Sequence, residues 1–298
     1  MTADDRNGFA WAKGHGTEND FVLLPDPDGS VHGGFDTATD AALVAALCHR
    51  RRGLGADGVI RAVRSAALAE LGAGEARRAA LDDAEWFMDY RNADGSPSQM
   101  CGNGIRVLLC WLVDEQLVDG ERAVALGTRA GTVHAVRGPG GQWSVDMGPV
   151  SVLPPSQVGV GDRVWPAIGV DTGNPHAVVL VDDVDQAGPL TEPPGHDPRV
   201  YPEGVNVEFV APVGHQHVRM RVHERGSGET RSCGSGAVAA AVLAEQFAGG
   251  VARPATYRVD VPGGTLEVRL RENGHAVLTG PAEVVARGTL TWTGHELR

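Results

Sequence analysis

The amino-acid sequence predicts an α+β protein made of two similar halves, in each of which a β-sheet curls round a helix. This prediction depends on a pattern that occurs twice in the 298 residues: strands, then a cysteine followed by a helix, then more strands. The two cysteines, Cys101 and Cys233, each follow a polar, glycine-rich loop and precede a Gly-x-Gly sequence and a run of helix formers. We expect the halves to join near residues 147–149.

Three helices are predicted from apolar residues at helical spacing. They cover residues 37–49, the residues that follow Cys101 to about 118, and the residues that follow Cys233, through Ala237, to Phe247. Asp36 or Thr37 is the expected cap of the first helix and Gly53 its stop, while the pair Gly249-Gly250 ends the third. The two helices after the cysteines contain many Ala, Leu and Val residues and few charges, so each is expected to be buried inside its sheet.

Much of the remaining chain alternates between apolar and polar residues, which is typical of strands with one buried face. The clearest examples are residues 132–136, 144–147, 205–210, 257–261 and 266–270. The last two belong to a meander, because residues 262–264 and 272–274 are turn sequences. Residues 65–83 have helical propensity but little apolar periodicity, and we interpret them as a peripheral insertion without an assigned function.

Composition and charge disfavour several classes of protein. The formal net charge is −12 and the chain has no basic run, which disfavours a nucleic-acid or anionic-membrane partner. No apolar stretch is long enough to span a bilayer, and residues 1–5 lack the basic and apolar regions of a signal peptide. Four cysteines without metal-type spacing indicate free thiols in a reducing cytoplasm, and we expect neither a metal nor an organic cofactor.

The chemistry that two such cysteines favour is proton transfer. At a helix N-terminus the unpaired N–H groups and the macrodipole stabilise negative charge, so we expect both thiols to have a lowered pKa. A thiolate and a thiol on opposite sides of a carbon acid can remove a proton from one face and return one to the other, which inverts a stereocentre without a cofactor. The helix N–H groups would bind the adjacent carboxylate. Close approach of this ligand to the backbone is allowed by Gly102, Gly104, Gly234 and Gly236.

The other cysteines and histidines have simpler interpretations. Cys48 and Cys110 are expected to be small buried apolar residues. His215 and His217 are not expected to bind a metal. They share a face of the predicted strand with the arginines of residues 218–222, and this face is expected to be solvated while Val and Met face the core. The glycine-rich cysteine loops could instead bind a phosphate as anion nests, but no Lys follows in P-loop spacing.

Both cysteine motifs resemble the signatures of the diaminopimelate epimerase family. The first motif is Asn92-Ala93-Asp94-Gly95-Ser96 with Cys101-Gly102-Asn103-Gly104, and the second is Glu224-Arg225-Gly226 with Gly228-Glu229-Thr230 and Cys233-Gly234-Ser235-Gly236. Shorter segments similar to the same family are Lys13-Gly14-His15-Gly16 with Asn19-Asp20-Phe21, Gly53-Leu54-Gly55-Ala56-Asp57-Gly58, Gly173-Asn174-Pro175-His176 and Asn206-Val207-Glu208-Phe209. The first cysteine motif is the most specific of these matches.

This resemblance implies a fold, an activity and a location. The fold is two pseudo-symmetric domains, each a barrel-like, mostly antiparallel β-sheet wrapped round a central helix. Residues 1–147 with a return strand at 281–298 form the half that carries Cys101, and residues 148–280 form the half that carries Cys233. The implied activity is pyridoxal-independent epimerisation of LL- to meso-2,6-diaminopimelate, for lysine and peptidoglycan synthesis. A cytoplasmic enzyme with a small-molecule substrate follows, and a homodimer is a candidate assembly.

The resemblance also implies roles for individual residues. The thiol that matches Cys101 is the proton donor and the thiol that matches Cys233 the acceptor, with the roles exchanged in the reverse reaction. The expected substrate contacts are Asn19, Asn92, Gly102, Asn103, Asn174, Asn206, Glu224, Arg225, Gly234 and Ser235. Arg225 is expected to hold the distal carboxylate, since a planar guanidinium binds carboxylates bidentately, and Glu224 to accept from an ammonium group. His176 is a further candidate, with a purely structural role in its turn as the alternative.

The sequence departs from the family pattern in three places, one of which is Ser235 where a Thr is common, and two rival functions remain open. Residues 17–18 are Thr-Glu where family members commonly carry an apolar residue and a glycine, and Gly58 stands where some members have Gln. One rival is a related two-cysteine racemase of proline or hydroxyproline, for which Arg225 and the side chains of Asn92, Asn174 and Asn206 would have no use. The other is a redox sensor in which Cys101 and Cys233 form a reversible disulfide.

Overall fold

The computed structural model describes residues 6–250 and 252–298. The chain divides into two compact units. The first contains the chain up to Trp143 together with Ala282–Arg298, and the second contains Ser144–Pro281. Residues 1–5, for which the sequence predicts no signal peptide, lie outside the described residues. No helix within the two described stretches is both long and apolar enough to cross a membrane.

The elements follow one another along the chain in this order. The helices are α1 (Ala38–Cys48), α2 (Ser65–Glu70), α3 (Gly74–Leu81), α4 (Gly102–Asp114) and α5 (Gly234–Phe247). The strands up to the boundary between the units are β1 (Arg6–Gly16), β2 (Asn19–Pro25), β3 (Gly58–Arg64), β4 (Trp86–Asn92), β5 (Val124–Thr128), β6 (Gly131–Arg137) and β7 (Trp143–Pro149). The later strands are β8 (Ser151–Val160), β9 (Arg163–Asp171), β10 (Pro175–Leu180), β11 (Gly195–His196), β12 (Asn206–Gly214), β13 (His217–Glu224), β14 (Gly228–Thr230), β15 (Ala255–Val261), β16 (Gly264–Leu270), β17 (His275–Gly280) and β18 (Glu283–Trp292).

The sheet of the first unit surrounds α4. β1 pairs antiparallel with β2 and β18, β2 parallel with β3, β3 antiparallel with β4, β4 parallel with β5, and β5 antiparallel with β6. α4 lies against β1, β2, β3, β4 and β18. Its apolar residues Val107, Leu108, Leu109 and Leu112 are fully buried, so the helix is the centre of this unit's core.

The second unit repeats this arrangement around α5. β9 pairs antiparallel with β10, β10 parallel with β12, β12 antiparallel with β13, β13 parallel with β15, and β15 antiparallel with β16. α5 lies against β10, β12, β13, β15 and β16, and its residues 237–241 are fully buried. Because the order of parallel and antiparallel pairs is the same in both units, the predicted α+β fold of two similar halves is confirmed.

α1 begins and ends almost where the sequence predicts. Thr37 caps it, since its hydroxyl accepts from the backbone N–H of Asp40 at 3.2 Å and the Asp40 carboxylate accepts from the Thr37 N–H at 2.8 Å. This is a capping box. Gly53 does not act as the predicted stop, because α1 already ends at Cys48. Instead Gly53 packs against the last turn, where an added Cβ would lie only 2.0 Å from the carbonyl oxygen of Ala46.

Of the two helices after the cysteines, only α4 differs from the prediction. α4 ends at Asp114 rather than near residue 118, because Gln116 has a φ of 60° and turns the chain out of the helix. α5 begins at Gly234, directly after Cys233 as predicted, and the cysteine itself is its cap. Its predicted end at Phe247 is confirmed, with Gly249 in the left-handed region at a φ of 78°.

The predicted strands fall within β6, β7, β12, β15 and β16, except that residue 205 precedes β12. In β13 the predicted alternation is confirmed, because Val218 and Met220 are buried while Arg219 is exposed. His217 lies 2.7 Å from Asp260 through its Nε2 atom, so its hydrogen bond goes to a neighbouring strand.

Residues 65–83 form α2 and α3, as their helical propensity indicates. Leu68, Ala76 and Ala79 are buried and cluster with Phe87 of β4. The segment therefore contributes a small apolar core of its own, and the prediction of a merely peripheral insertion is incomplete.

The two cysteines outside the motifs differ in burial. Cys48 is 5% exposed within the core of the first unit, as predicted. Cys110 is only half-buried, and its Sγ lies 3.4 Å from the carbonyl oxygen of Ala282. The prediction of a buried apolar residue is therefore wrong for Cys110, whose side chain faces the start of the C-terminal segment.

We expect Gly53→Ala to destabilise the protein, because its Cβ would overlap main-chain atoms of α1 that cannot rotate away. Overpacking of this kind costs about 1–3 kcal/mol of unfolding free energy. Gly34→Ala is the matched control, since an added Cβ there meets nothing within 4 Å. Urea denaturation of both variants checks the prediction, and equal midpoints would contradict it.

Candidate active site at two cysteine-capped helices

Each motif cysteine is the N-cap residue of a buried helix. Cys101 caps α4 with φ −143° and ψ 117°, and its Sγ accepts from the backbone N–H of Gly104 at 3.4 Å. Cys233 caps α5 with φ −126° and ψ 119°, and its Sγ accepts from the N–H of Gly236 at 3.4 Å. The two thiols thus occupy the same position in the two units, at the positive end of a helix dipole.

Glycine at the third position after each cysteine lets the helix lie close to its sheet. A Cβ on Gly104 would be 2.9 Å from Cδ1 of Ile60, and a Cβ on Gly236 would be 2.7 Å from Oε1 of Glu208. The sequence predicts that these glycines admit a ligand to the backbone. The structure shows that they also admit a strand side chain beneath the first turn of the helix.

Around Cys101 the sulfur and two amides form one hydrogen-bonded group. Oδ1 of Asn19 lies 3.8 Å from the Cys101 Sγ and accepts from Nδ2 of Asn103 at 3.1 Å. Nδ2 of Asn19 donates to the Asp57 carboxylate at 2.7 Å. Because that bond orients the amide, the oxygen of Asn19 faces the thiol. The structure therefore brings three of the predicted site residues together.

Asp57 is a residue of this group that the sequence did not single out. It also accepts from the backbone N–H of Asp20 at 3.2 Å and from Arg50 at 2.6 Å. Burial raises the pKa of the Asp57 carboxyl, and the charge of Asp20 adds to the effect. Asp57 lies in one of the segments that resemble the family, and this was the signal that could have identified it. A half-buried carboxylate needs hydrogen-bond partners, so its neighbours could also have been predicted to be donors.

Arg106 adds a buried cation to the first turns of α4. The side chain is fully buried, and its guanidinium donates to the carbonyl oxygen of Gly102 at 3.4 Å. Burial lowers the pKa of Arg106 to about 10, while the charge of Cys101 acts in the opposite direction. The attraction is mutual, so an ionised Cys101 and the guanidinium stabilise each other.

The surroundings of Cys233 have the opposite electrostatic effect. Burial raises its pKa well above the ordinary 9.0, and the carboxylates of Glu224 and Glu208 raise it further. Hydrogen bonds from Ser235, 3.4 Å away, and from the helix N–H lower it but do not prevail. The prediction of a lowered pKa is therefore wrong for this thiol, because desolvation and two carboxylates outweigh the helix N-terminus.

Beneath α5 lies a buried acid–base pair that the sequence did not predict. Nδ1 of His176 is 2.6 Å from Oε1 of Glu208, and both side chains are fully buried. In the parallel pairing of β10 and β12, His176 lies opposite Asn206. Glu208 follows Asn206 by two residues in β12. A carboxylate within the apolar run of residues 205–210 was the available signal, since an unpaired charge is rarely buried.

Three predicted substrate contacts of the second unit are joined by hydrogen bonds. Oδ1 of Asn206 accepts from the backbone N–H of Arg225 at 2.8 Å, and the guanidinium of Arg225 lies 3.4 Å from Oδ1 of Asn174. The other end of this guanidinium donates to the carbonyl oxygen of Glu203 at 3.0 Å. Glu224, next in sequence to Arg225, accepts from the hydroxyl of Thr230.

The amide nitrogen of Asn206 is a donor ready for a ligand. Asn206 is 3% exposed, and its Nδ2 has no hydrogen-bond partner in the described part of the chain. Leaving a buried donor unpaired costs about 1–3 kcal/mol, so such groups need an explanation. A carboxylate or carbonyl oxygen of a substrate would satisfy it.

Asn92 forms its side-chain hydrogen bond within its own turn and not with the residues described above. Its side-chain amide donates to the hydroxyl of Ser96 at 3.0 Å, in the turn that follows β4. Gly102, Asn103, Gly234 and Ser235 occupy the first turns of α4 and α5, as their positions in the motifs require. No three His, Cys, Asp or Glu residues cluster as metal ligands within residues 6–250 and 252–298.

A family profile and the relatives similar in sequence name the same family. The profile described as diaminopimelate epimerase matches residues 11–153 and 168–285. The chain is 50% identical over 288 residues to the diaminopimelate epimerase of Streptomyces coelicolor, with 94% of each chain covered. It is 49% identical over 278 residues to that of Thermobifida fusca, with 93% of this chain and 96% of the relative covered. A crystal structure of a hydroxyproline epimerase from Agrobacterium vitis has a TM-score of 0.68 at 18% identity, over 96% of this chain and 93% of that chain, which shows a shared fold alone.

We expect alkylation of Cys233 by iodoacetamide to rise with pH through a pKa above 9.0, because only the thiolate reacts and its pKa is raised. Glu224→Gln removes a negative charge near the sulfur, so it should lower that pKa and speed the reaction at a given pH. Peptide mass spectrometry across the pH range measures the pKa of Cys233 and its rate of alkylation. The pH midpoint of the profile does not depend on how accessible the sulfur is to the reagent. Cys48, with a pKa raised to about 12, is the internal control. A Cys233 profile centred below pH 8 would contradict the prediction.

Proposed function

The chain belongs to the diaminopimelate epimerase family, and from that premise we propose that it interconverts LL- and meso-2,6-diaminopimelate by proton transfer between two thiols. The observation that carries the proposal is the pair of cysteine-capped helices, α4 and α5, with the same sulfur–amide hydrogen bond in both units. The product of such a reaction serves lysine and peptidoglycan synthesis.

The proposed step breaks one C–H bond and forms another at the same carbon. For the LL substrate the Cys233 thiolate takes the α-proton, and the Cys101 thiol gives its proton to the opposite face. Charge balances within the pair, which is productive when it holds one proton in total. In the ligand-free protein the raised pKa of Cys233 favours its thiol form, which corresponds to the state that accepts meso substrate. The reaction of the LL substrate therefore starts with Cys233 as the thiolate, and the reaction of the meso substrate starts with Cys101 as the thiolate.

The acidity of the α-carbon is the main obstacle, and the helix N-termini address it. Backbone N–H groups of Gly102 and Asn103 in α4, and of Gly234 and Ser235 in α5, would bind the α-carboxylate and stabilise the charge that spreads onto it. The oxygen of Asn19, held towards the sulfur by Asp57, supports a protonated Cys101. We propose no cofactor for this chemistry.

The distal amino-acid end of the substrate would bind in the second unit. Arg225 is exposed, and among the described residues its guanidinium forms only long or main-chain hydrogen bonds, so it can exchange them for a bidentate carboxylate contact. The open donor of Asn206 suits the same carboxylate, and Glu224 suits the ammonium group. Asn174 and Asn92 complete the proposed contacts, with Asn92 released from Ser96 on binding.

The assignment of functional domains is part of the proposal. Residues 1–147 with 281–298 would form the half that supplies Cys101, and residues 148–280 the half that supplies Cys233. The pairing of β18 with β1 supports the return of the C-terminal segment to the first half. We also propose a cytoplasmic location, which keeps both thiols reduced, and a homodimer as the assembly.

Cys101→Ala and Cys233→Ala should each abolish epimerisation, because each face of the carbon needs its own proton carrier. Incubation with LL-diaminopimelate in deuterated water, followed by mass spectrometry of the α-position, measures the reaction. Cys110→Ala is the matched control, since this thiol lies on α4 but away from its N-terminus, and it should retain turnover. Full activity in either motif variant would overturn the two-thiol mechanism, and the absence of α-deuterium with the reduced wild type would favour the redox sensor.

Arg225→Lys should lower kcat/KM about 10- to 100-fold, because an ammonium group keeps the charge but loses the planar fork. The loss is expected in kcat as well as in KM, since binding energy at the distal end orients the reacting end. Arg199→Lys is the control, because Arg199 is exposed and pairs only with its neighbour Asp197 at 2.8 Å. Efficient racemisation of proline by the wild type, or an unimpaired Arg225→Lys enzyme, would favour the rival racemase.

A further inference from the structure

The His176–Glu208 pair is the one buried acid–base contact of the site that the proposed mechanism does not use. The two side chains meet at 2.6 Å with no exposed surface. Nε2 of His176 and Oε2 of Glu208 have no hydrogen-bond partner within the described residues. Each side chain thus uses one polar atom for this contact, Nδ1 in His176 and Oε1 in Glu208. Its second polar atom has no partner among the described residues.

The first unit shows that the fold itself does not require this pair. β2 pairs Phe21 with Gly58 in the same parallel arrangement in which β10 pairs His176 with Asn206. Two residues further on, Ile60 lies under Gly104 as Glu208 lies under Gly236. Phe21 and Ile60 are therefore the equivalents of His176 and Glu208. Since apolar side chains fill this position well in one half, the acid–base pair in the other half has another purpose.

We propose that Glu208 is a positioning residue that fixes the tautomer of His176. A carboxylate can only accept, so ionised Glu208 requires the ring proton on Nδ1 and leaves the lone pair on Nε2. Oε1 of Glu208 packs against the first turn of α5, which carries the positive end of the helix dipole. Burial removes the water that would otherwise compete for either nitrogen.

The consequence is a directed hydrogen-bond acceptor beside the proposed substrate contacts. His176 stands opposite Asn206 in the sheet, and its Nε2 is available to a donor that arrives with the substrate or forms during proton transfer. This inference rests on the proposed function, which supplies that donor. It also makes the two halves chemically different, since the first half has no titratable pair at the equivalent position.

The first experiment records the ¹⁵N spectrum of histidine-labelled, ligand-free enzyme and assigns His176 by comparison with His176→Phe. We expect a single neutral tautomer with the proton on Nδ1 and a bare Nε2. A ring protonated on Nε2 in the wild type would overturn the proposal. This readout needs no turnover, so it stands even if the enzyme fails to exchange deuterium into diaminopimelate, which would overturn only the proposed function.

The second experiment measures Glu208→Gln, which keeps the volume but offers Nδ1 a donor as well as an acceptor. We expect mixed tautomers of His176 and a kcat about 100-fold lower with KM changed little, the scale of a general acid–base contribution. Ile60→Val is the matched control at the equivalent position of the first unit and should retain turnover. A folded Glu208→Gln enzyme with kcat within about twofold of wild type would overturn the proposal. Should that variant not fold, the tautomer of the wild type decides alone.

Discussion

The site depends on one local interaction, the hydrogen bond from a backbone N–H in the first turn of a helix to the sulfur of its own N-cap cysteine. It holds Cys101 and Cys233 at the positive ends of α4 and α5 with matching geometry. Glycine at the third position lets the first turn of each helix lie against a strand side chain, Ile60 in the first unit and Glu208 in the second. The buried helix is therefore both the core of each unit and the support of its thiol.

Duplication alone would produce two equal thiols, whereas an acid and a base must differ. The structure makes them differ through the side chains that surround each sulfur. Cys101 has the oriented amide of Asn19 and a buried arginine near the start of its helix, while Cys233 has carboxylates and little solvent. In a medium of low polarity such neighbours outweigh a helix dipole, because desolvation of a thiolate is large compared with the partial charge of a helix end. The same scaffold thus places the two thiols in different electrostatic surroundings.

Much of the fold could be predicted because it follows from short-range patterns. The cap at Thr37, the end of α5 before Gly249 and the alternation in β13 each depend on residues within a few positions of one another. The errors have the same origin. α4 ends early because Gln116 adopts a left-handed conformation that its residue type does not favour, and Cys110 is only half-buried, with its thiol beside a segment more than 170 residues later in the chain. Spacing along the helix contains no information about that segment.

For the site, the sequence by itself determined the two thiols, their helix caps and the family, since each motif is contiguous and its N-cap hydrogen bond joins residues three apart. Only the tertiary structure decided which side chains surround each sulfur. Glu208 reaches the start of α5 from β12, and Asp57 reaches Asn19 from the loop before β3. Burial raises the pKa of Cys233 most, and it is raised further by Glu224 of the same motif and by Glu208 of the more distant β12. Local hydrogen bonding can be read along the chain, but desolvation and long-range charge exist only once the sheet has closed round the helix.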